Sequence, residues 1–515
     1  DLMGDNMYNS NWGYYNGKVR NARVKKTHEP IAILKYDFTP ESKKLKVSAT
    51  MLYRFGKNGY TALDWYDAPD PRPDYYRNLP SYFFMENSDY NRVNFMKYAW
   101  AKEAWTMDIP SITHINWDRL YAVNTLNTTE AGKRSKYVIE ERRTDQQDLN
   151  FAANAKWSPL KYFTLTGGLS YKWNRTENYK ILDDLLGGDY YVNIDQFAER
   201  DYAAYPTMIQ NDLDYYLQNG KAQTLKKGDK YGYDYYANVR RAEAWAAGRF
   251  TFAGLDASIA GRIGYTKFWR EGLVRKGLFP GLDANGAPME FEGAEITTYD
   301  PITKEAITSL GKSDVKDFLT GGVKLNLSYV IRGGHRVYAD AAYVTDAPRF
   351  NQAFVSPRTR NSIVPDLKTS KTFAADLNYA YSNSGYDVRV TGYYTTIKDQ
   401  SKVMSFYDDA QNSFTNFAMS GMDERHVGVE LGFKVPLPVP NLSLQGVLSY
   451  GQYVYTSNPV MYQTYDNSAA IVEETYGVTI PYWKSHPTAE GKTVKHYVSG
   501  TPQLATSLGL SWNKN

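Results

Sequence analysis

Along most of this chain, apolar and polar residues alternate one for one, the period of a β-strand with one apolar face. Leu45, Val47, Ala49, Met51, Tyr53 and Phe55 fall on one side of such a run, with Lys46, Ser48, Thr50 and Arg54 on the other. The same pattern returns over Phe163–Tyr171, Leu255–Tyr265, Leu319–Tyr329, Phe373–Tyr381, Val427–Val435 and Leu504–Trp512. Each run is about 9–11 residues, long enough for a tilted strand to cross a bilayer. With a first strand near Ile31 to Phe38, about 13 strands are expected.

The connections alternate as well. Short turns are expected at Thr39–Lys44, Ser158–Leu160, Ala253–Gly254, Arg332–His335, Ser382–Gly385 and Pro436–Asn441. Between them lie long polar, aromatic-rich excursions at about 56–145, 173–240, 267–318, 345–369, 398–424 and 455–502. Short turns on one rim and long loops on the other are the asymmetry of outer-membrane barrels. A propeller would repeat at a fixed spacing, and these spacings are irregular. The expected fold is therefore all-β: a transmembrane antiparallel β-barrel with long extracellular loops.

Composition narrows the chemistry. Among 515 residues there are 46 Tyr, 11 Trp and 21 Phe, an excess that suits a boundary between apolar and wet surroundings. A charge of +4 from 60 basic and 56 acidic residues shows no nucleic-acid bias. The absence of cysteine removes disulfides, thiol catalysis and cysteine-bound metals. Six scattered histidines include no zinc-binding pair, and Asp283, Asn285, Gly286 and Glu290 make only an incomplete calcium loop. No enzyme, cofactor or metal site is expected.

The long segments carry recognisable wording: Trp65 to Tyr76 with Asp70-Pro71-Arg72-Pro73-Asp74, Ile115 to Tyr121, Ser356-Pro357-Arg358-Thr359-Arg360, Met404 to Asp409, Gly421 to Glu430, Gly451 to Ser457, and Ser499 to Gln503. Together they resemble the TonB-dependent outer-membrane receptors of the Oar-like and SusC-like group. The resemblance implies that residues 1–515 are an interior segment of a 22-stranded barrel, about 13 strands, without signal peptide, plug or closing C-terminal strand. An inner-wall piece of this kind should look under-satisfied where a plug would bond to it. The resemblance further implies import of a bulky nutrient (oligosaccharide, peptide or metal chelate) across the outer membrane of a Gram-negative bacterium. The implied partners are outer-membrane lipid, the TonB complex through a missing N-terminal part, and a surface lipoprotein. A non-transport role in surface assembly, adhesion or protein export is the alternative.

Two sets of residues follow as candidates. Aromatic faces beside carboxylates suit ligand capture by stacking and hydrogen bonding, which points to Trp65, Tyr66, Asp67, Tyr75, Tyr76, Tyr235 and Tyr236 in the loops. Polar positions within the alternating runs should face the lumen: Arg54, Arg262, Lys324, Asp376, Arg389 and Glu430.

Overall fold

The computed structural model describes residues 6–84, 95–301, 303–408, 413–457, 459–468, 478–479 and 497–513. Thirteen strands follow one another in a single antiparallel ladder. They are β1 (Ile31–Phe38), β2 (Leu45–Trp65), β3 (Tyr137–Leu160), β4 (Phe163–Asp184), β5 (Lys230–Phe252), β6 (Leu255–Gly272) and β7 (Lys316–Ile331). The ladder continues through β8 (His335–Asp346), β9 (Ser370–Asn383), β10 (Tyr386–Asp408), β11 (Ser413–Pro436), β12 (Leu442–Tyr455) and β13 (Leu504–Trp512). Each pairs with its sequence neighbour.

Five of the six expected turns fall at connections between consecutive strands, while Ser158–Leu160 is the end of β3 and the turn itself is Lys161-Tyr162. Two of them show why two residues suffice. Ala253 and Gly254 both adopt positive φ (50° and 85°), as do Ser384 and Gly385 (51° and 85°). That conformation matches the right-handed twist of the flanking strands, and glycine adopts it without steric cost.

The strands are longer than expected. Both β3 and β11 have 24 residues, and β5 and β10 have 23. Parts of the expected excursions are therefore strand that continues past the apolar run, whereas 345–369 is connection from 347 onward. The expected 398–424 excursion is almost entirely such a ladder, pairing Asp408 with Ser413 at its far end. The true upper connections begin where strands end, so 56–145 shrinks to 66–136 and 173–240 to 185–229. Sequence alternation stops at the membrane surface, where the outer face becomes polar, but backbone pairing does not.

Register assigns the faces. Arg54 stands opposite Asp148, Asp148 opposite Asn174, Asn174 opposite Val239 and Val239 opposite Phe268. Arg262, an even number of residues from Phe268, shares that face. Arg262 opposes Gly322, next to Lys324 on the same side, and Lys324 leads through Ala342 and Ala374 to Asp376. Asp376 faces Tyr393, and Thr391 faces Glu430, which brings in Arg389 and Glu430. All six polar candidates thus share one face.

The opposite face is apolar and bare. Leu319 is 69% exposed, Leu377 61% and Leu508 71%, and Met51, Ile259, Ile263 and Val429 are exposed beside them. A continuous apolar surface of this extent needs lipid against it. It gives way to charged residues on β2, β6, β7 and β9, where Phe55 is followed on the same face by Lys57, Tyr265 by Lys267, Leu319 by Asp317 and Phe373 by Lys371. The belt is about ten residues tall, as a tilted membrane-crossing strand requires. No described helix is long and apolar enough to cross a membrane.

The strands take a barrel order that brings β13 round toward β1. Among the described residues, however, no pairing joins those two strands, and β1 is exposed along its whole length. The sheet that holds them is nonetheless a closed barrel.

Candidate functional site

The upper ends of the strands and their connections build a mouth over the polar face. Four features define it, from the wall upward.

The wall residues hold one another. Arg54 reaches Asp148 at 3.4 Å, and Lys172 approaches the same carboxylate at 3.5 Å. Arg262 bridges Glu243 at 3.3 Å and Asp346 at 2.6 Å. Arg389 donates to Thr391, Thr391 donates to Asn378, and Asp376 accepts from Asn378. Glu430 lines a shallow hollow of about 300 Å³ with Tyr393, Thr395, His426 and Tyr453, and His426 lies 3.1 Å from Glu424. Lys324 is exposed. Among the described residues, buried wall atoms without a hydrogen-bond partner include Arg262 Nε and Asp148 Oδ1, the latter facing only the Lys172 ammonium. Neighbouring strands bring opposite charges to one height, so the wall neutralises itself across strands.

Above the membrane level, β2, β3, β4 and β5 converge on a buried charge cluster. Lys180 Nζ lies 2.9 Å from Asp64 and 3.0 Å from Glu140. Arg142 holds Glu140 at 2.5 Å, and Tyr231 donates to Asp64 at 2.8 Å. Glu140 is fully buried. Burial alone would raise the Asp64 carboxyl, but the Lys180 ammonium outweighs it and holds the group below its ordinary value. Burial and the same two carboxylates drive the Tyr231 phenol well up, so it stays a donor.

A third feature is the connection between β8 and β9, which folds inward. Ala353 and Phe354 pack on Phe268, with Val239 and Phe318 beside them on the polar face of the sheet. Two buried arginines tie this connection down. From β6, Arg270 donates to Pro357 O at 2.6 Å, Ser309 O at 2.8 Å and Asn361 Oδ1 at 2.5 Å. Within the connection, Arg360 is 1% exposed, donates to Asp466 O at 2.7 Å and lies over the Phe279 ring. Burial lowers the Arg270 guanidinium to about 10 and lowers Arg360 as well. Three connections are thereby joined above the lumen.

The fourth is a compact unit between β2 and β3. Trp117 and Leu120, from the helix Trp117–Leu126, pack with Ile115, Tyr137, Ile139 and Leu186. Asn116 caps that helix by accepting from Arg119 N.

The sequence candidates are dispersed across this mouth. Tyr66 is buried, donates to Glu199 at 2.5 Å and lies under Arg134. Tyr235 is buried beneath Arg270, its phenol raised to about 12 by desolvation. Trp65 carries Arg72 over its ring, and Asp67 pairs with Lys136 at 3.0 Å. Tyr75 and Tyr76 meet edge to face, and Tyr82 adds a third ring against the exposed Tyr76. By register Tyr236 shares the outer face with Arg240, under the Arg175 guanidinium at 3.7 Å. Asp283 accepts from the Asn285 and Ala287 amides, which lower its carboxyl and make its turn self-contained. His486 and His496 lie outside the described residues. Sequence reading missed Arg270, Arg360 and Lys180 because nothing local distinguishes them from solvated charges; only the Ser356–Arg360 wording hinted at one.

No protein-family model and no curated protein matches the chain. Among solved structures it is similar to the copper transporter OprC (11% identity, TM-score 0.48, 87% of this chain against 52% of that one). It is also similar to the ferric-catecholate import receptor Fiu of E. coli K12 (8%, 0.42, 85% against 51%) and to the FrpB iron transporter of Neisseria meningitidis (9%, 0.37, 94% against 65%). The chain spans about half to two thirds of their length. These are TonB-dependent outer-membrane receptors. For this chain, the register and the two faces described above establish a transmembrane β-barrel wall of the outer-membrane type.

Proposed function

We propose that this chain is the wall and outer mouth of a TonB-dependent outer-membrane transporter that imports a bulky nutrient. The observation that carries the reading is the charged inner face of a sheet already thirteen strands wide. About eight strands suffice for side chains to fill a barrel, so a wider wall lines an aqueous or plugged passage. Long connections braced over one rim supply the capture surface. Trp65, Asp67, Tyr75 and Tyr76 would contact ligand there, while Tyr66 and Tyr235 hold the connections in place. Among oligosaccharide, peptide and metal chelate, the exposed ring cluster with neighbouring Arg72 and Arg77 favours a ligand offering both flat faces and acceptors.

Energy coupling distinguishes this reading from a passive pore and from adhesion. Uptake and surface binding of one ligand are measured with and without an uncoupler. Loss of uptake with binding retained is expected. Uptake that survives the uncoupler would make the barrel a passive pore, and binding without uptake in energised cells would favour adhesion.

A further inference from the structure

The wall neutralises itself at Arg54 and Arg262 but not at Glu430. The direct cross-strand partners of Glu430 are the neutral Thr391 and Ser449. Among the described residues its carboxylate forms no ion pair and no hydrogen bond. Arg389, one inner position below Thr391, donates to Thr391 and Asn378 instead. Above Glu430 on the same face, His426 and Glu424 lie 3.1 Å apart and answer each other. Glu430 thus presents an unmatched negative charge to the lumen, where it is exposed.

A pair of glycines shapes the hollow beside this carboxylate. Gly428 and Gly451 face each other across β11 and β12. Tyr393 leans from β10 over Gly428, Tyr453 leans back over Gly451, and the two hydroxyls meet in a hydrogen bond. A Cβ at Gly451 would come within 2.6 Å of the Tyr453 hydroxyl and 2.7 Å of the Tyr393 hydroxyl, so glycine is what leaves both phenols room. The two rings are thereby held against the wall beside Glu430. His426 tilts against the Tyr453 ring at 5.1 Å, and Thr395 and Ile397 complete the hollow of about 300 Å³. Phe373, the last apolar residue on the outer face of β9, pairs with Thr396. The hollow therefore stands at the upper edge of the apolar belt, inside the passage and under the mouth.

We propose that this hollow is a wall subsite for a cationic group, an ammonium or guanidinium, carried by the imported ligand. A carboxylate without a countercharge, open to the lumen beside two aromatic rings, suits a cation better than a neutral hydroxyl or an anion. The cation is paired at Glu430, the phenol rings attract it as well, and Ile397 accepts an aliphatic stem. That a ligand carries the group through the passage rests on the transport reading; the preference of the hollow for a cation does not.

The test titrates the full chain in detergent with butylguanidinium, with butylurea as its uncharged counterpart, and with maltotriose, each read by saturation-transfer NMR. Butylguanidinium should bind, and both neutral probes should bind about tenfold more weakly or not at all. E430Q should weaken butylguanidinium by about tenfold, the loss of one charge-assisted bond. G451A displaces the phenols without touching the carboxylate and should weaken it too. D387N removes a carboxylate lower on the same face of β10 and should leave binding unchanged. Equal binding of butylurea or maltotriose, no effect of E430Q or G451A, or a loss in D387N as large as in E430Q would overturn the proposal. An unchanged circular dichroism spectrum and heat-modified gel mobility of each variant exclude misfolding as the cause. These titrations need no energy source, so the two readings fail separately. Uptake that survives an uncoupler counts against energy-coupled transport alone, whereas uncoupler-sensitive uptake with no cation preference in the hollow overturns the subsite alone.

Discussion

Replacing Lys180 with Met should destabilise the outer mouth and reverse the sign of its pH dependence. The ammonium sits about 3 Å from both Asp64 and Glu140, and Glu140 has no solvent contact. Removing one partner of a buried ion pair typically costs 3–5 kcal/mol, because the remaining charge is left without compensation. Arg142 still holds Glu140, and Asp64 keeps 21% side-chain exposure, so the lower end, about 3 kcal/mol, is expected at pH 7. The folded-state carboxyl of Asp64 is depressed, so its stabilisation is complete above the unfolded value near 4 and is lost as pH falls through the lower folded value. Without Lys180, desolvation dominates and the folded carboxyl rises above its unfolded value. K180M should then gain stability as the pH is lowered from 7 toward 5, where the native protein changes little. Hydrogen exchange of the upper β3 and β4 amides reads this local opening directly. Exchange in K180M that matches the native protein at pH 7, or that has no acid-side recovery, would refute the account. D64N added to K180M should restore protection at pH 7 by removing the stranded charge.

Two further predictions address the wall and the braced connection. Leu325 is on the lipid face at mid-belt and Asn326 on the inner face, so Leu325→Arg should lower folding stability in bilayers by about 2–4 kcal/mol while Asn326→Arg costs little; equal urea midpoints for the two variants would contradict the face assignment. Arg360→Ala removes the bond to Asp466 and the contact with Phe279, and trypsin should then cut at Arg358 at least tenfold faster than in the native protein. An unchanged cleavage rate would mean that the Arg270 bonds and the Phe354 contacts hold the connection without Arg360.

Much of this architecture is written locally in the chain. Alternation at period two, interrupted by turns such as Ala253-Gly254 and Ser384-Gly385, sufficed for the strand number, the lipid-facing residues and the shared face of Arg54, Arg262, Lys324, Asp376, Arg389 and Glu430. That information is local because a lipid-facing strand must show an apolar side chain at every second position, whatever its neighbours are. Above the membrane this constraint lapses, and the sequence no longer marks where strands end. The mouth was decided by contacts between residues far apart. Lys180 meets Asp64 across 116 positions and Arg360 meets Asp466 across 106. Whether Tyr66 and Tyr235 would be buried while Tyr76 stayed exposed depended on which connection came to lie over each ring. A charge or an aromatic ring in a long loop can face water, ligand or another loop at nearly equal local cost, and only the assembled mouth chooses among them.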